Sequence, residues 1–327
     1  MTLVLSRSDV HALLTLPDCI AAVEQAFALH ADGKTLGPGV LGVPVPGGGF
    51  HVKAAGLVGA RRYFAAKTNA NFPENPKTFG RPTIQGTVVL FDAGHGEPLA
   101  VMDSGSITAL RTGAATAVAA KYLARPESRV ATVVGCGVQG EIQLAAIAAV
   151  LPLARARVID VDADRARALA ARVGGTLGFP VEAVTDLKAS LRDSDVCVTC
   201  TPSKRAFVAR GDVRPGTFIA AVGADSQGKQ ELEPALVAGA TLVVDVLEQC
   251  AEIGELQHVL AAGLLTREQV HAELADVVAG RKPGRTRGDE ITIFDSSGTA
   301  LQDVAAAIAV YEKACALGRG MKVNLDA

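Results

Sequence analysis

Ile20, Val23, Ala26 and Phe27 recur at helical spacing behind Pro17 and ahead of Gly33, which predicts a helix over 17–31. Strand-like runs follow at 38–46, 50–57, 62–69, 83–92 and 97–102, divided by turn clusters such as Pro46-Gly-Gly-Gly49 and Asp92-Ala-Gly-His-Gly96. Short turns between successive strands predict an antiparallel sheet. From Ser106 the texture changes, and 107–125 reads as an Ala-rich helix stopped by Pro126. Beyond Arg129, apolar runs at 130–134, 156–160, 180–184, 195–200, 217–222 and 241–245 alternate with helical stretches, the pattern of βαβ units and a mostly parallel sheet. A last helix at 298–317 carries Ala and Val at core spacing and is expected to pack back on the first domain.

Composition narrows the possibilities. A chain of 327 residues suggests about two domains. With 49% hydrophobic and 20% charged residues it has material for a large core. The longest apolar stretch, 144–154, is about half of the ~20 residues a spanning helix needs, and residues 1–10 lack the pattern of a secretory signal. No membrane association is expected, and the location expected is cytoplasmic. A net charge of −2, 4% aromatics and no Trp argue against nucleic acid as a partner. Cys197 and Cys200 form a CxxC, but on a strand residues three apart face opposite sides. With no second CxxC or His-x-x-x-His, the pair reads as small apolar strand residues, and no metal is expected.

The run 130–134 leads into Gly135-Cys-Gly137-Val-Gln-Gly140 and then a helix, with Asp160 closing the next strand. In that context the glycines have separate tasks: a tight turn at Gly135, close approach of a pyrophosphate at Gly137, and helix–strand packing at Gly140. Asp160 is placed to accept from ribose hydroxyls, and no Arg stands before Arg165 to receive a 2′-phosphate, so NAD is expected over NADP. The alternative is a glycine turn in a cofactor-free domain. The fold class that follows is α/β: a Rossmann dinucleotide-binding domain over 116–299 beside an α+β domain over 1–115 with 300–327.

Polar residues inside apolar runs are the remaining candidates. Lys67 lies in a small, apolar strand run and Arg111 inside the Ala-rich helix, and each needs an anionic partner. Either a bound carboxylate or a structural Asp or Glu satisfies that need. Asp225 follows the run 217–222, where the ligand crevice of a parallel sheet opens; the alternative is a helix N-cap.

The segments Lys67–Pro76, Arg81–Gly86, Leu99–Asp103, Thr108–Arg125, Gly135–Gly140, Gly223–Leu232 and Ile293–Gly298 with Gln302-Asp303 together resemble the ornithine cyclodeaminase/mu-crystallin family, which also holds archaeal-type alanine dehydrogenase and ketimine reductases. The resemblance implies a homodimer whose first domain serves dimerisation and substrate binding. It implies that Lys67 and Arg111 hold a substrate carboxylate, with Lys67 and Asp225 as the catalytic pair and Asp225 as acid/base. For the dinucleotide it points to Thr83, Arg111, Val138, Gln139, Asp160, Thr201, the strand end at 219–222 with Ala221 and Val222, Lys229 and Ser296. The chain departs from the family at Pro38-Gly-Val40, where a basic residue is usual, and at His51, where cyclodeaminases place a Glu suited to a distal amine. His51 and Lys53 share a strand face and are candidates to bind substrate; the alternative is a solvated edge. The expectation is an NAD(H)-dependent oxidoreductase acting on the C–N bond of a small α-imino or α-amino acid. An ammonia lyase of the ornithine cyclodeaminase type and a non-catalytic NAD-binding protein like mu-crystallin are the alternatives.

Overall fold

In the computed structural model, which describes residues 1–325, the Thr15 hydroxyl accepts the Asp18 N–H and Pro17 fills the first turn of a helix that runs Leu16–Ala31. Preceded by β1 (Thr2–Leu5) and α1 (Arg7–Leu13), it is α2. Next come β2 (Thr35–Val45), β3 (Gly48–Val58), β4 (Arg62–Asn71), α3 (Asn75–Phe79), β5 (Ile84–Asp92), β6 (Pro98–Asp103) and α4 (Ser104–Leu123). The alternating region holds β7 (Val130–Val134), α5 (Val138–Ala148), β8 (Arg155–Ile159), α6 (Ala163–Gly174), β9 (Val181–Ala183), α7 (Leu187–Arg192) and β10 (Val196–Thr199). It continues through β11 (Lys204–Val208), β12 (Phe218–Ala221), β13 (Gln230–Leu232), α8 (Pro234–Ala238), β14 (Thr241–Val244), α9 (Leu247–Ile253) and α10 (Leu256–Ala261). Then follow β15 (Ala272–Glu273), α11 (Leu274–Val278), β16 (Thr292–Asp295), α12 (Ala300–Leu317) and β17 (Met321–Val323). Two compact units result: Met1–Ala114 joined by the segment from Thr299 onward, and Ala115–Gly298.

The first unit is built on a sheet of order β17-β1-β6-β5-β4-β3-β2. Strands β2 to β6 are antiparallel neighbours, as the short turns predict. The sheet as a whole is mixed, however, because β1 pairs with β6 in parallel and β17 pairs with β1 antiparallel. These strands come from the two chain ends, so no turn signal announces them. Alternate residues Ala55 and Leu57 of β3, Tyr63, Ala65 and Lys67 of β4, and Val88 and Leu90 of β5 are buried. Helix α12 packs on β3, β4 and α2, burying Leu301, Val304, Ala307 and Val310.

The second unit holds a parallel sheet of order β15-β14-β16-β12-β10-β7-β8-β9. Read from β9 to β12, the chain order is that of a Rossmann fold, reversing between β7 and β10. Ligands of such sheets bind beyond the strand ends at that reversal. Strand β16, absent from the sequence expectation, inserts between β12 and β14 with all four residues buried. The CxxC expectation also needs correcting: Cys197 is a buried strand residue, but Cys200 lies past the end of β10, its thiol directed at the carbonyls of Val134 (3.4 Å) and Gly135 (3.3 Å).

Candidate active site

In the second unit, β7 turns into α5 through the glycine loop. Gly135 has φ +104°, and a Cβ there would stand 2.8 Å from the Cys200 carbonyl oxygen. A Cβ on Gly140 would collide with the Gly135 carbonyl oxygen, so α5 lies against its own loop only because Gly140 lacks one. Gly137 has open space where a side chain would be and starts α5 without a capping side chain. The first-turn N–H groups around Val138 and Gln139 therefore offer an anion the positive end of a helix. Asp160, one residue past β8, accepts the Cys136 N–H at 2.8 Å and the Asp162 N–H at 3.0 Å, while Val161 beside it is fully exposed. A carboxylate has about four acceptor sites, so Asp160 retains capacity for hydroxyl donors.

The ends of β10, β12 and β16 carry the other candidates of this unit. Ala221 and Val222 are buried at the end of β12. Ser296 is buried after β16, and its Oγ has no hydrogen-bond partner, an arrangement that calls for a bound polar group. The open space at Gly137, the uncapped start of α5 and the unpartnered Ser296 Oγ together fit a dinucleotide. Asp225 follows β12 as an exposed residue, paired at 2.5 Å with the Lys229 ammonium. No helix begins there, which overturns the N-cap alternative: 226–229 is a turn, with Gly228 at φ +77°, leading into β13.

Sequence reasoning missed Glu231. It is fully buried and accepts from the Thr201 N–H and Oγ1 (both 2.7 Å) and from the Gly223 N–H at 2.9 Å, tying the ends of β10 and β12 together. Gly223 is needed for this, since a Cβ would stand 2.4 Å from the Glu231 carboxyl carbon. Glu255 in turn accepts the N–H of Glu231 (2.7 Å) and Leu232 (3.2 Å), and Asp295 accepts those of Glu255 (3.0 Å) and Leu256 (2.9 Å). Burial pushes the Asp295 carboxyl up to about 7, and burial with the nearby Asp295 charge pushes Glu255 up to about 9.

In the first unit, Lys67 and Arg111 converge on one residue, Asp303 of α12. The Lys67 ammonium lies 2.6 Å from Asp303 Oδ2 and the Arg111 Nε 2.9 Å from Oδ1, all three side chains being buried. Arg111 also donates to Gln302 Oε1 at 2.8 Å. Burial pulls the Lys67 ammonium down to about 7, against the opposing pull of Asp303. Burial alone would raise Asp303, but the charges of Arg111 and Lys67 hold it below the usual carboxylate value. Two cations thus share one anion. Asn69, next along this face of β4, accepts from the Ser104 hydroxyl at 2.6 Å, and Thr83 precedes β5 with its carbonyl accepting the Phe72 N–H at 2.8 Å.

The model of the ornithine cyclodeaminase/mu-crystallin family matches residues 1–317. The chain belongs to that family. This ornithine cyclodeaminase/mu-crystallin family member is similar to an archaeal alanine dehydrogenase dimer with bound NAD, at 38% identity and a TM-score of 0.94, covering 99% of each chain. It is similar to the Thermococcus litoralis Δ1-pyrroline-2-carboxylate reductase in complex with NADH and L-proline, at 35% identity and a TM-score of 0.94, covering 98% of this chain and 100% of that one. It is also similar to the iminosuccinate reductase of Paracoccus denitrificans in complex with NAD⁺, at 36% identity and a TM-score of 0.93, covering 99% of each. The family member carries two clusters, the glycine-loop cluster of the Rossmann unit and the Lys67–Arg111–Asp303 cluster of the other unit.

Proposed function

We propose that the two clusters divide the work of an NAD(H)-dependent oxidoreductase acting on the C–N bond of a small α-imino or α-amino acid. The observation that carries this reading is the buried Lys67–Arg111–Asp303 cluster, two cations on one carboxylate, in a chain that also has an open dinucleotide loop. One unmatched positive charge in a buried setting suits a substrate carboxylate, held by Lys67 and by the planar fork of Arg111. Gly135, Gly137 and Gly140 with the N–H groups of Val138 and Gln139 hold the pyrophosphate, and Asp160 holds the ribose. Thr83, Arg111, Thr201, Ala221, Val222, Lys229 and Ser296 complete the cofactor contacts. NADH, when bound, supplies the hydride that reduces the imine carbon. Asp225 exchanges the proton of the nitrogen as the C=N bond becomes a single bond, and His51 and Lys53 face the distal end of the substrate. Leu36, Val40, Leu41 and Val43 are exposed on β2, the last strand of its sheet, and an apolar edge of this kind suits a second copy of the chain. The enzyme is accordingly read as a cytoplasmic homodimer whose first unit provides the dimer contact.

The test is a screen of NADH oxidation with pyruvate, glyoxylate, oxaloacetate or cyclic imines, adding ammonia or methylamine where needed, beside an assay of ammonia release from ornithine. Turnover in the first set is expected. Ammonia release from ornithine without net NADH change would instead identify a lyase.

Cofactor choice gives a second expectation. Asp160 repels a 2′-phosphate, so NADH should bind at least about tenfold more tightly than NADPH, about 1.4 kcal/mol. Asp160→Ser combined with Val161→Arg should narrow or invert that gap in fluorescence titrations, since Val161 is exposed and accepts a longer side chain without repacking. Equal affinity of the unmodified protein for both cofactors would contradict the assigned role of Asp160.

A further inference from the structure

Asp225 and Lys229 are carried by the segment 223–230, which joins the end of β12 to β13. Its two ends are tied down: the Gly223 N–H donates to Glu231 at 2.9 Å and the Gln230 N–H to the Ser203 carbonyl at 2.9 Å. Burial does not fix the tip between them. Asp225, Gln227 and Gly228 are exposed, and a cleft of about 470 Å³ opens among Gln227, Glu252 and Ile253 of α9 and Ala261 of α10. Two side chains of α10 hold the tip instead. Gln257 Oε1 accepts the Gly228 N–H at 2.9 Å while its Nε2 donates to the Gly254 carbonyl at 2.8 Å, which fixes the orientation of the amide. His258 Nε2 lies 2.7 Å from the Lys229 carbonyl oxygen, an acceptor only, so this nitrogen carries a proton and donates. The start of α10 is itself seated on Asp295, through the Glu255 and Leu256 N–H groups, at the end of β16.

We infer that Gln257 and His258 are positioning residues that hold this turn so that Asp225 and Lys229 stand where the proton is exchanged. This rests on the role proposed above for Asp225 and adds what keeps it in place. The two grips fall on the peptide groups before Gly228 and after Lys229, so the direction of the Lys229 side chain is set between them. The Lys229 ammonium, 2.5 Å from the Asp225 carboxylate, passes that constraint on. An exposed ion pair of this kind is worth only about 0–1 kcal/mol, so it restrains Asp225 no better than Lys229 is itself restrained. Gly228, at φ +77°, has no Cβ to limit its other conformations, and without the grips the tip is free to shift into the cleft. Proton exchange needs hydrogen-bond reach of the reacting nitrogen, and a misplacement of about 1 Å costs on the order of 10²-fold.

The experiment compares the full chain with His258→Leu, His258→Gln, Asp225→Asn and the double variant Asp225→Asn with His258→Leu, by two readouts. Amide hydrogen exchange reports the turn. In His258→Leu the Lys229 carbonyl loses its donor, and protection over 226–230 should fall at least about threefold while β12 and α5 keep theirs. His258→Gln places an amide N–H near where the ring nitrogen stood and should restore most of it. NADH oxidation with ammonia and pyruvate, or oxaloacetate where pyruvate is not used, reports the reaction. There kcat should fall about 10- to 100-fold in His258→Leu and recover in His258→Gln. NADH affinity should change less than about threefold, since the glycine loop and Asp160 are untouched. In the Asp225→Asn background, His258→Leu should lower kcat no further, because its effect runs through Asp225. Gln257→Ala serves if His258→Leu does not fold. Unchanged exchange over 226–230 overturns the inference. So does a loss of kcat that adds in full to that of Asp225→Asn, and so does lost protection with kcat intact while Asp225→Asn is impaired. If Asp225→Asn itself keeps full kcat, or no oxo acid is reduced, the role of Asp225 fails, while the exchange readout still decides whether α10 holds the turn.

Discussion

Asp225→Asn should lower kcat by about 10²–10⁴-fold, the usual worth of general acid–base assistance, while NADH affinity stays near that of the unmodified protein. Reduction of an imine needs a group that exchanges a proton with nitrogen as the bond order changes, and Asp225 stands beyond the end of β12 with its carboxylate exposed. Its one described side-chain partner is Lys229, in an exposed ion pair of a kind worth about 0–1 kcal/mol, and no helix depends on it as a cap. The substitution therefore separates chemistry from folding. Steady-state kinetics across pH, with cofactor affinity from fluorescence, provides the measurement. The pH–rate profile should lose one limb in the variant. A variant with unchanged kcat and an unchanged profile would move the proton to Lys67 or to water.

Signals local in sequence were legible, and those made by distant segments were not. The glycine loop reads directly because Gly135, Gly137 and Gly140 act within six residues of each other, between a strand and a helix that both announce themselves. Lys67 and Arg111 stood out because a cation in an apolar run demands a partner. The same argument applies to Asp303, an acid inside the buried Ala-rich run of α12, which enters the sequence reading only through the family resemblance at Gln302-Asp303 although it answers both cations. Glu231 gave no such sign. It sits in Lys229-Gln-Glu-Leu232, a polar stretch that resembles a surface, and its partners Thr201 and Gly223 come from the ends of other strands. Strand β16 was hidden for a related reason: a four-residue segment buried on both faces shows no alternation, and its neighbours β12 and β14 both precede it in the chain by tens of residues. The N-cap alternative for Asp225 fails because Gly228, three residues on, takes φ +77° in a turn that leads into β13 and not into a helix.

Asp303→Asn should destabilise the protein by about 3–5 kcal/mol, the cost of leaving buried charges without their counter-ion, and lower Tm by on the order of 10 °C. Asn fills the same space but leaves Lys67 and Arg111 facing each other, with Gln302 as the remaining partner of Arg111. The pH dependence identifies the cause. In the native protein Lys67 is pulled down to about 7 from its ordinary value of 10.5, so above about pH 7 the unfolded chain binds more protons than the folded one and stability gains from rising pH. Removing Asp303 removes the pull that opposes burial, so in the variant Lys67 gives up its proton at a lower pH and the same gain begins earlier. The difference in stability between the two proteins should therefore shrink as pH rises toward about 7 and stay level from there to about pH 9 in chemical denaturation. Adding Lys67→Met to Asp303→Asn should recover part of the loss at neutral and acid pH, because it removes one of the two stranded cations. A deficit that is flat across this range, and a double variant no more stable than the single one, would show that Asp303 holds α12 through packing and that the stranded charges cost little.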